Sequence, residues 1–260
     1  MEEGQSASLK EVCIFLSDYA SWLLGCGATC IRIEKNIERM AKSLKVTAEM
    51  TVMPTNIQMS IWDLEHQESY SLMKRKQKIG INFNVNTRLS KLSWDLSDKK
   101  ISFKESVLQF DKIKNTPQEN KWMVLILASL ANMSFCRLFG GDFYAMLVVL
   151  IATLAGYRIK QILIEAKLDI RVVFFCSAFI ASIIGSSAHL FHLGVTPDIA
   201  IGTSVLYLIP GIPYINSVSD LLDGHYICAF SRFVDALVLT ICLSMGLCCG
   251  MFLMGLQWLS

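Results

Sequence analysis

The sequence predicts an α-helical membrane protein with five transmembrane helices, the fourth broken at a Pro-Gly-x-Pro, behind a small cytoplasmic α+β domain. Three observations predict it. Hydrophobic residues make up 53% of the 260 positions, and the mean hydropathy is +0.45, too apolar for an ordinary soluble domain. Charge is unevenly spread: residues 1–121 hold 18 Lys/Arg and 15 Asp/Glu, while residues 122–260 hold only 6 and 7. An apolar segment from Ser204 breaks at Pro210-Gly211-Ile212-Pro213, then resumes through Asn216, Asp220 and Gly224 to Arg232. Residues 1–117 are therefore expected to form the cytoplasmic domain and residues 118–260 the five-helix transmembrane domain.

The amino-terminal elements follow from periodicity. Leu9, Val12, Cys13, Leu16, Tyr19, Ala20 and Leu23 recur at helical spacing with one buried face. Gly25-Cys26-Gly27 stops that helix. A second one follows, with Ile33, Ile37, Met40 and Leu44 on one stripe and a supporting Glu38–Lys42 pair. From Thr47 the pattern alternates and is rich in β-branched residues, with Pro54-Thr55-Asn56 as a turn, which predicts a hairpin. A third strand is expected within Glu68–Lys76. Lys74-Arg75-Lys76-Gln77-Lys78 reads as a solvated strand end or as an electropositive vestibule. Helices follow over Asn86–Asp98 and Ser102–Ile113, the latter opened by a capping box, Ser102 with Glu105.

Five spans come next: Trp122–Phe139, Phe143–Tyr157, Val172–His189, the interrupted Ile199–Leu222, and Phe233–Leu259. Each can cross a hydrocarbon layer of roughly 30 Å, the second with Arg158 and Lys160 reaching to the interface. Ala178, Ser182 and Ser186 form a small-residue ladder, and Gly246 and Gly250 a G-x-x-x-G. The loop over 158–171 carries Arg158, Lys160, Lys167 and Arg171, whereas the loops at 140–142 and 190–198 carry no Lys or Arg. By the positive-inside rule that loop faces the cytoplasm, the amino-terminal domain lies there too, and five crossings put Ser260 outside.

Other classes find little support. Neither half is strongly basic, so no nucleic-acid partner is expected. The start, MEEGQSASLK, has no apolar h-region and does not read as a signal peptide. Nine cysteines, five of them in apolar runs, read as buried thiols and not as a disulfide framework. Cys26 and Cys30 lack partner ligands, and no metal or cofactor is expected. The chain carries no P-loop, which favours an ion gradient as energy source; it has no G-x-S-x-G elbow and no H-E-x-x-H. A membrane-tethered hydrolase is therefore a weak alternative, with His66 the one histidine of the amino-terminal domain. A scaffold without transport is another.

Several stretches read together resemble the threonine/serine exporter family over nearly the full length. They are Gly27-Ala28 with Arg32-Ile33-Glu34, the Gly141-Asp142 turn, Pro210-Gly211-x-Pro213-x-x-Asn216-x-x-x-Asp220 with Gly224, and Arg232. Within that family the chain resembles the large subunits of two-component bacterial succinate exporters. The resemblance implies a cytoplasmic domain, a five-span bundle in the bacterial inner membrane, and a second five-span half. Here that half is expected as a separate, smaller membrane subunit. It also implies export of a small polar metabolite, either a dicarboxylate such as succinate or threonine/serine, and no enzyme activity.

The expected substrate-binding residues are Pro210, Gly211, Pro213, Asn216, Asp220 and Arg232, with Asp142 as a lesser member. The break frees backbone groups, as the discontinuous helices of many transporters do. Asn216 offers a neutral donor and acceptor. Arg232 can fork a carboxylate. Asp220 either carries a proton or is the resting partner of Arg232. The competing reading makes Asp220 and Arg232 a structural pair at the cytoplasmic interface, and Asp223 and His225 fit that reading better.

Overall fold

The structure is a computed structural model and describes residues 8–63, 68–117 and 119–256. His66, the first seven residues and Ser260 lie outside them. Two helices open the chain, α1 (Leu9–Gly25) and α2 (Cys30–Ser43), followed by β1 (Val46–Val52), β2 (Asn56–Asp63) and β3 (Ser69–Arg75). Two more helices, α3 (Phe83–Ser97) and α4 (Phe103–Lys114), precede the long apolar ones: α5 (Lys121–Leu138), α6 (Phe143–Glu165) and α7 (Ile170–Leu190). The interrupted stretch comprises α8 (Pro197–Ser204), a 3₁₀ turn (Leu206–Leu208) and α9 (Gly211–Leu222), and α10 (Tyr226–Leu253) ends the description.

The elements pack into two compact units: Met1–Pro117 with Ile212–Phe233, and Gln118–Gly211 with Val234–Ser260. The second half of the broken stretch and the opening of α10 thus belong with the amino-terminal elements.

In the first unit an antiparallel sheet of order β1-β2-β3 turns Ile57, Met59 and Ile61 of its central strand into the core, the alternation expected of a half-covered sheet. Leu16, Tyr19 and Leu23 of α1 fill that core with Ile33, Ile37 and Met40 of α2. The buried Tyr19 hydroxyl donates to Leu89 O (2.8 Å) and accepts from Asn36 Nδ2 (3.0 Å), joining α1, α2 and α3. Phe15 meets Phe103 and Phe110 of α4 edge-on, at 5.4 and 5.8 Å. Ser102 and Glu105 form the expected capping box.

Among the described residues four helices, α5, α6, α7 and α10, are long and apolar enough to cross a membrane; there are up to five spans if the pair flanking Pro210 counts as one. Two of the span boundaries differ most from the sequence reading. Helix α6 continues past Tyr157 to Glu165 because the start of α5 satisfies its polar end. Arg158 lies over the Trp122 ring at 4.6 Å, Gln161 donates to Lys121 O, and Glu165 pairs with Lys121 at 2.9 Å. Helix α10 starts at Tyr226 rather than Phe233, and its first turns are held inside the first unit. Cys228 Sγ donates to Val52 O, and Ala229 O accepts from Ser217.

Within the second unit α7 and α10 approach at backbone distance. A Cβ on Gly246 would strike Phe175 O, and one on Gly250 would meet Ser182 Oγ at 2.6 Å. Ser182 donates to Leu247 O (2.8 Å) across this seam, the use expected of small residues between apolar helices.

Candidate functional site

The interruption itself is short. After the 3₁₀ turn, Ile209 adopts an extended conformation (φ −58°, ψ 124°), as a residue before proline must. Helix α9 restarts at Gly211 with Pro213 in its first turn, where a missing N–H leaves no intrahelical bond unmade. A Cβ on Gly211 would meet nothing within 4 Å.

Beyond the break, three expected site residues converge inside the first unit on the turn between α1 and α2. Asp220 is fully buried. Its Oδ1 accepts from Cys30 N at 2.8 Å, and Cys30 is the first residue of α2. The local N-cap, Thr29, makes no side-chain cap bond. Asp220 therefore caps α2 from 190 residues away, and its charge sits where the helix dipole favours an anion. Arg232 Nε lies 3.2 Å from the other oxygen, Oδ2, which accepts no well-directed hydrogen bond. The guanidinium reaches further, its Nη2 donating to Ala28 O at 2.7 Å. Asn216 Nδ2 donates to Gly27 O at 2.8 Å. One turn along, His225 Nε2 stands 3.3 Å from Glu34 Oε2.

The gripped turn is itself constrained. Gly27 holds φ +85°, and a Cβ there would press on Ile81 at 3.1 Å. A Cβ on Gly25 would fall 2.6 Å from Gln77 O. The thiols beside it are protonated. Burial pushes Cys26 up to about 11, and a thiol–thiol hydrogen bond to Cys228, with burial, drives Cys30 higher. Neither is poised as a nucleophile, and no group of three or more His, Cys, Asp or Glu suited to a metal occurs among the described residues.

Asp142, in the second unit, is engaged by its own surroundings. It caps α6, its Oδ1 accepting from Ala145 N at 2.7 Å. Oδ2 accepts from Val195 N, and the Asp142 N–H donates to Thr196 Oγ1 (2.9 Å). The Ala145 and Val195 N–H groups hold this carboxyl below the usual aspartate range. It ties the Gly140–Asp142 turn to the loop before α8.

The sequence reading missed the trans cap on α2, since nothing near Asp220 announces a partner so distant in the chain. A signal did exist. The Gly27-Ala28 and Glu34 stretch and the Asn216–Arg232 stretch both carry the family resemblance, and they meet here.

A hollow of about 980 Å³ lies beside α1 and α4, lined by Phe15, Phe103, Val107 and Leu108 with Ser8 and Ser102. Both hydroxyls accept helix-capping N–H bonds there, from Glu11 and Glu105, and no histidine lines it.

Comparison with known proteins places the whole chain. A family model described as "Putative threonine/serine exporter" matches residues 15–254. The "Probable succinate transporter subunit YjjP" of Klebsiella aerogenes is 25% identical over 257 residues, 98% of each chain. The protein of the same name from Escherichia coli K12 is 24% identical over 258 residues, 99% of each. No solved structure matches.

Proposed function

We propose that this chain, which belongs to the threonine/serine exporter family, is one subunit of a secondary-active exporter of small polar metabolites, a dicarboxylate such as succinate before threonine or serine. One observation carries the reading: an exporter family matches the chain nearly end to end, and the chain's fourth apolar stretch is interrupted at Pro210-Gly211. Interrupted helices expose backbone groups where a membrane protein needs a polar path. The preference for succinate comes from the two curated relatives, both named as succinate transporter subunits.

The proposal includes a smaller five-span partner in the bacterial inner membrane, five spans in this chain with the pair flanking Pro210 as one, a cytoplasmic amino-terminal domain (1–117) and an external carboxyl terminus. The loop asymmetry supports that orientation. It also includes a role for the expected site residues. Pro210, Gly211 and Pro213 keep the path open at the break. Asp220 and Arg232 form a latch: a substrate carboxylate reaches the guanidinium by taking the place of Asp220, which loosens the hold of α9 on the α1–α2 turn. Asn216 steadies that turn, and Asp142 fixes the loop ahead of α8.

The test is efflux from cells that carry both subunits, either one, or neither. Succinate efflux only with both is expected. Equal efflux without this chain would sink the reading, and robust transport by this chain alone would remove the partner. A cytoplasm-specific reporter fused after Leu168 should be active and one after Ser260 silent; activity at both points would reject five crossings.

A further inference from the structure

Among the described residues, the second unit contains a cation without an ion-pair or hydrogen-bond partner. Lys160, on α6, makes no ion pair or hydrogen bond among the described residues. Its Nζ lies over two rings instead, 5.4 Å from the centre of Tyr157 and 5.2 Å from that of Phe174. The acidic groups nearest along α6 and α7 are already engaged. Glu165 pairs with Lys121, and Asp169 caps α7 and faces Arg171. An ammonium in an apolar bundle is costly unless something balances it. Aromatic faces supply part of that balance and leave its hydrogen-bonding capacity unspent.

Two hydroxyls on the packed turns around Gly156, one turn of α6 before Lys160, are also unspent among the described residues. Tyr207, in the 3₁₀ turn just before the break, packs its ring 5.7 Å from that of Tyr157. Its hydroxyl rests directly over Gly156, in the space a Cβ would fill. Ser177 follows Phe174 by one turn of α7, and its carbonyl borders the same glycine. Ser177 is fully buried, and neither its Oγ nor the Tyr207 hydroxyl has a hydrogen-bond partner among the described residues. Buried polar groups in native proteins are almost always paired. An unpaired ammonium and two orphan hydroxyls on α6, α7 and the adjoining turn form a complementary set for one anionic acceptor.

We propose that Lys160, with the Tyr207 and Ser177 hydroxyls, is a carboxylate-binding subsite of the exporter. It rests on the exporter reading for its place in transport but not for the binding itself. A carboxylate offers about four lone-pair positions, enough for the ammonium and both hydroxyls. Dicarboxylates and amino acids share that group, so the experiment must separate them.

The full-length protein, purified in detergent, is heated with and without succinate or threonine, as wild type, Lys160→Gln, Lys160→Arg and Tyr207→Phe. Succinate is expected to raise the melting temperature of wild type. Lys160→Gln should lose the response, Lys160→Arg keep part of it, and Tyr207→Phe require roughly ten- to hundredfold more ligand, as loss of one hydrogen bond to a charged group implies. In vesicles with the partner subunit, Lys160→Gln should raise KM for succinate at least about tenfold at equal membrane abundance, a change that a lysine merely reaching to the interface would not produce. A response to threonine equal to that of succinate keeps the subsite and names an amino-acid carboxylate as its natural source. No response in wild type, or equal responses in wild type and Lys160→Gln, overturns the proposal. Stabilisation of wild type by succinate without any transport would instead refute the exporter reading and leave the subsite standing.

Discussion

Two clusters of polar groups sit in this chain under opposite rules. Around Asp220 nearly every donor and acceptor has a protein partner: a helix N-terminus, a guanidinium, two loop carbonyls. Around Lys160 the ammonium and two hydroxyls have no hydrogen-bond or ion-pair partner among the described residues. Both lie among apolar helices, where unmet polarity is expensive. The first cluster has used its chemistry to fix a turn. The second has kept its chemistry free. A charge inside a bundle is therefore a weak pointer to a ligand until its partners are counted.

The largest expected effect would come from breaking the satisfied cluster. Asp220→Ala should cost about 3–5 kcal/mol, since it strands Arg232 and uncaps α2 at once. Little folded protein should reach the membrane. Asp220→Asn with Arg232→Gln removes both charges and should recover part of that loss; a double variant no better than Asp220→Asn would deny the coupling. Arg232→Lys keeps the charge but not the fork that spans Asp220 and Ala28. Near-normal abundance with most transport lost is expected, and normal transport would dismiss the latch.

Gly156→Ala probes the unsatisfied cluster. Its methyl would collide with the Tyr207 hydroxyl and press on Ala181 at 3.1 Å, at a cost of about 1–3 kcal/mol. A melting temperature equal to wild type would show that Tyr207 has room to leave and would weaken the contrast.

Asp142 should give a smaller, pH-dependent change. Its carboxyl is depressed when folded, so its contribution is complete above the ordinary aspartate value, about 3.9. It fades as pH falls below that value toward the lower folded one. Asp142→Asn should flatten the acid side of a stability–pH curve, and an unchanged curve would remove the tie to Val195.

Gly211→Ala should do least. No atom lies within 4 Å of the new methyl, and the change stays within about 0.5 kcal/mol if Pro210 alone sets the break. A large loss would show that the break depends on glycine.

Much of the fold was legible because it is local. Helical and alternating periods located the elements of residues 8–114, and Ser102 with Glu105 announced its own capping box. Helix α6 outran its expected end because Arg158 and Lys160 read as loop charges, while two of their aromatic neighbours, Trp122 and Phe174, lie on other helices. The same reading set Lys160 aside as a residue reaching to the interface. Asp220 was picked out as a candidate from the sequence, yet its partner Cys30 N is visible only in three dimensions, because backbone N–H groups leave no mark in a sequence.

The seam at Gly246 and Gly250 also bears on motion. Helices that meet backbone to backbone, with Ser182 bonded to Leu247 O, have no side-chain cushion along which to slide. Helix α7 and the adjoining length of α10 therefore act as a stator. If this unit rocks during a transport cycle, the travel must come from α8 and the 3₁₀ turn, the short pieces next to the break. A cysteine pair that locks α7 to α10 should then leave turnover intact, while one that locks α8 to α7 should stop it.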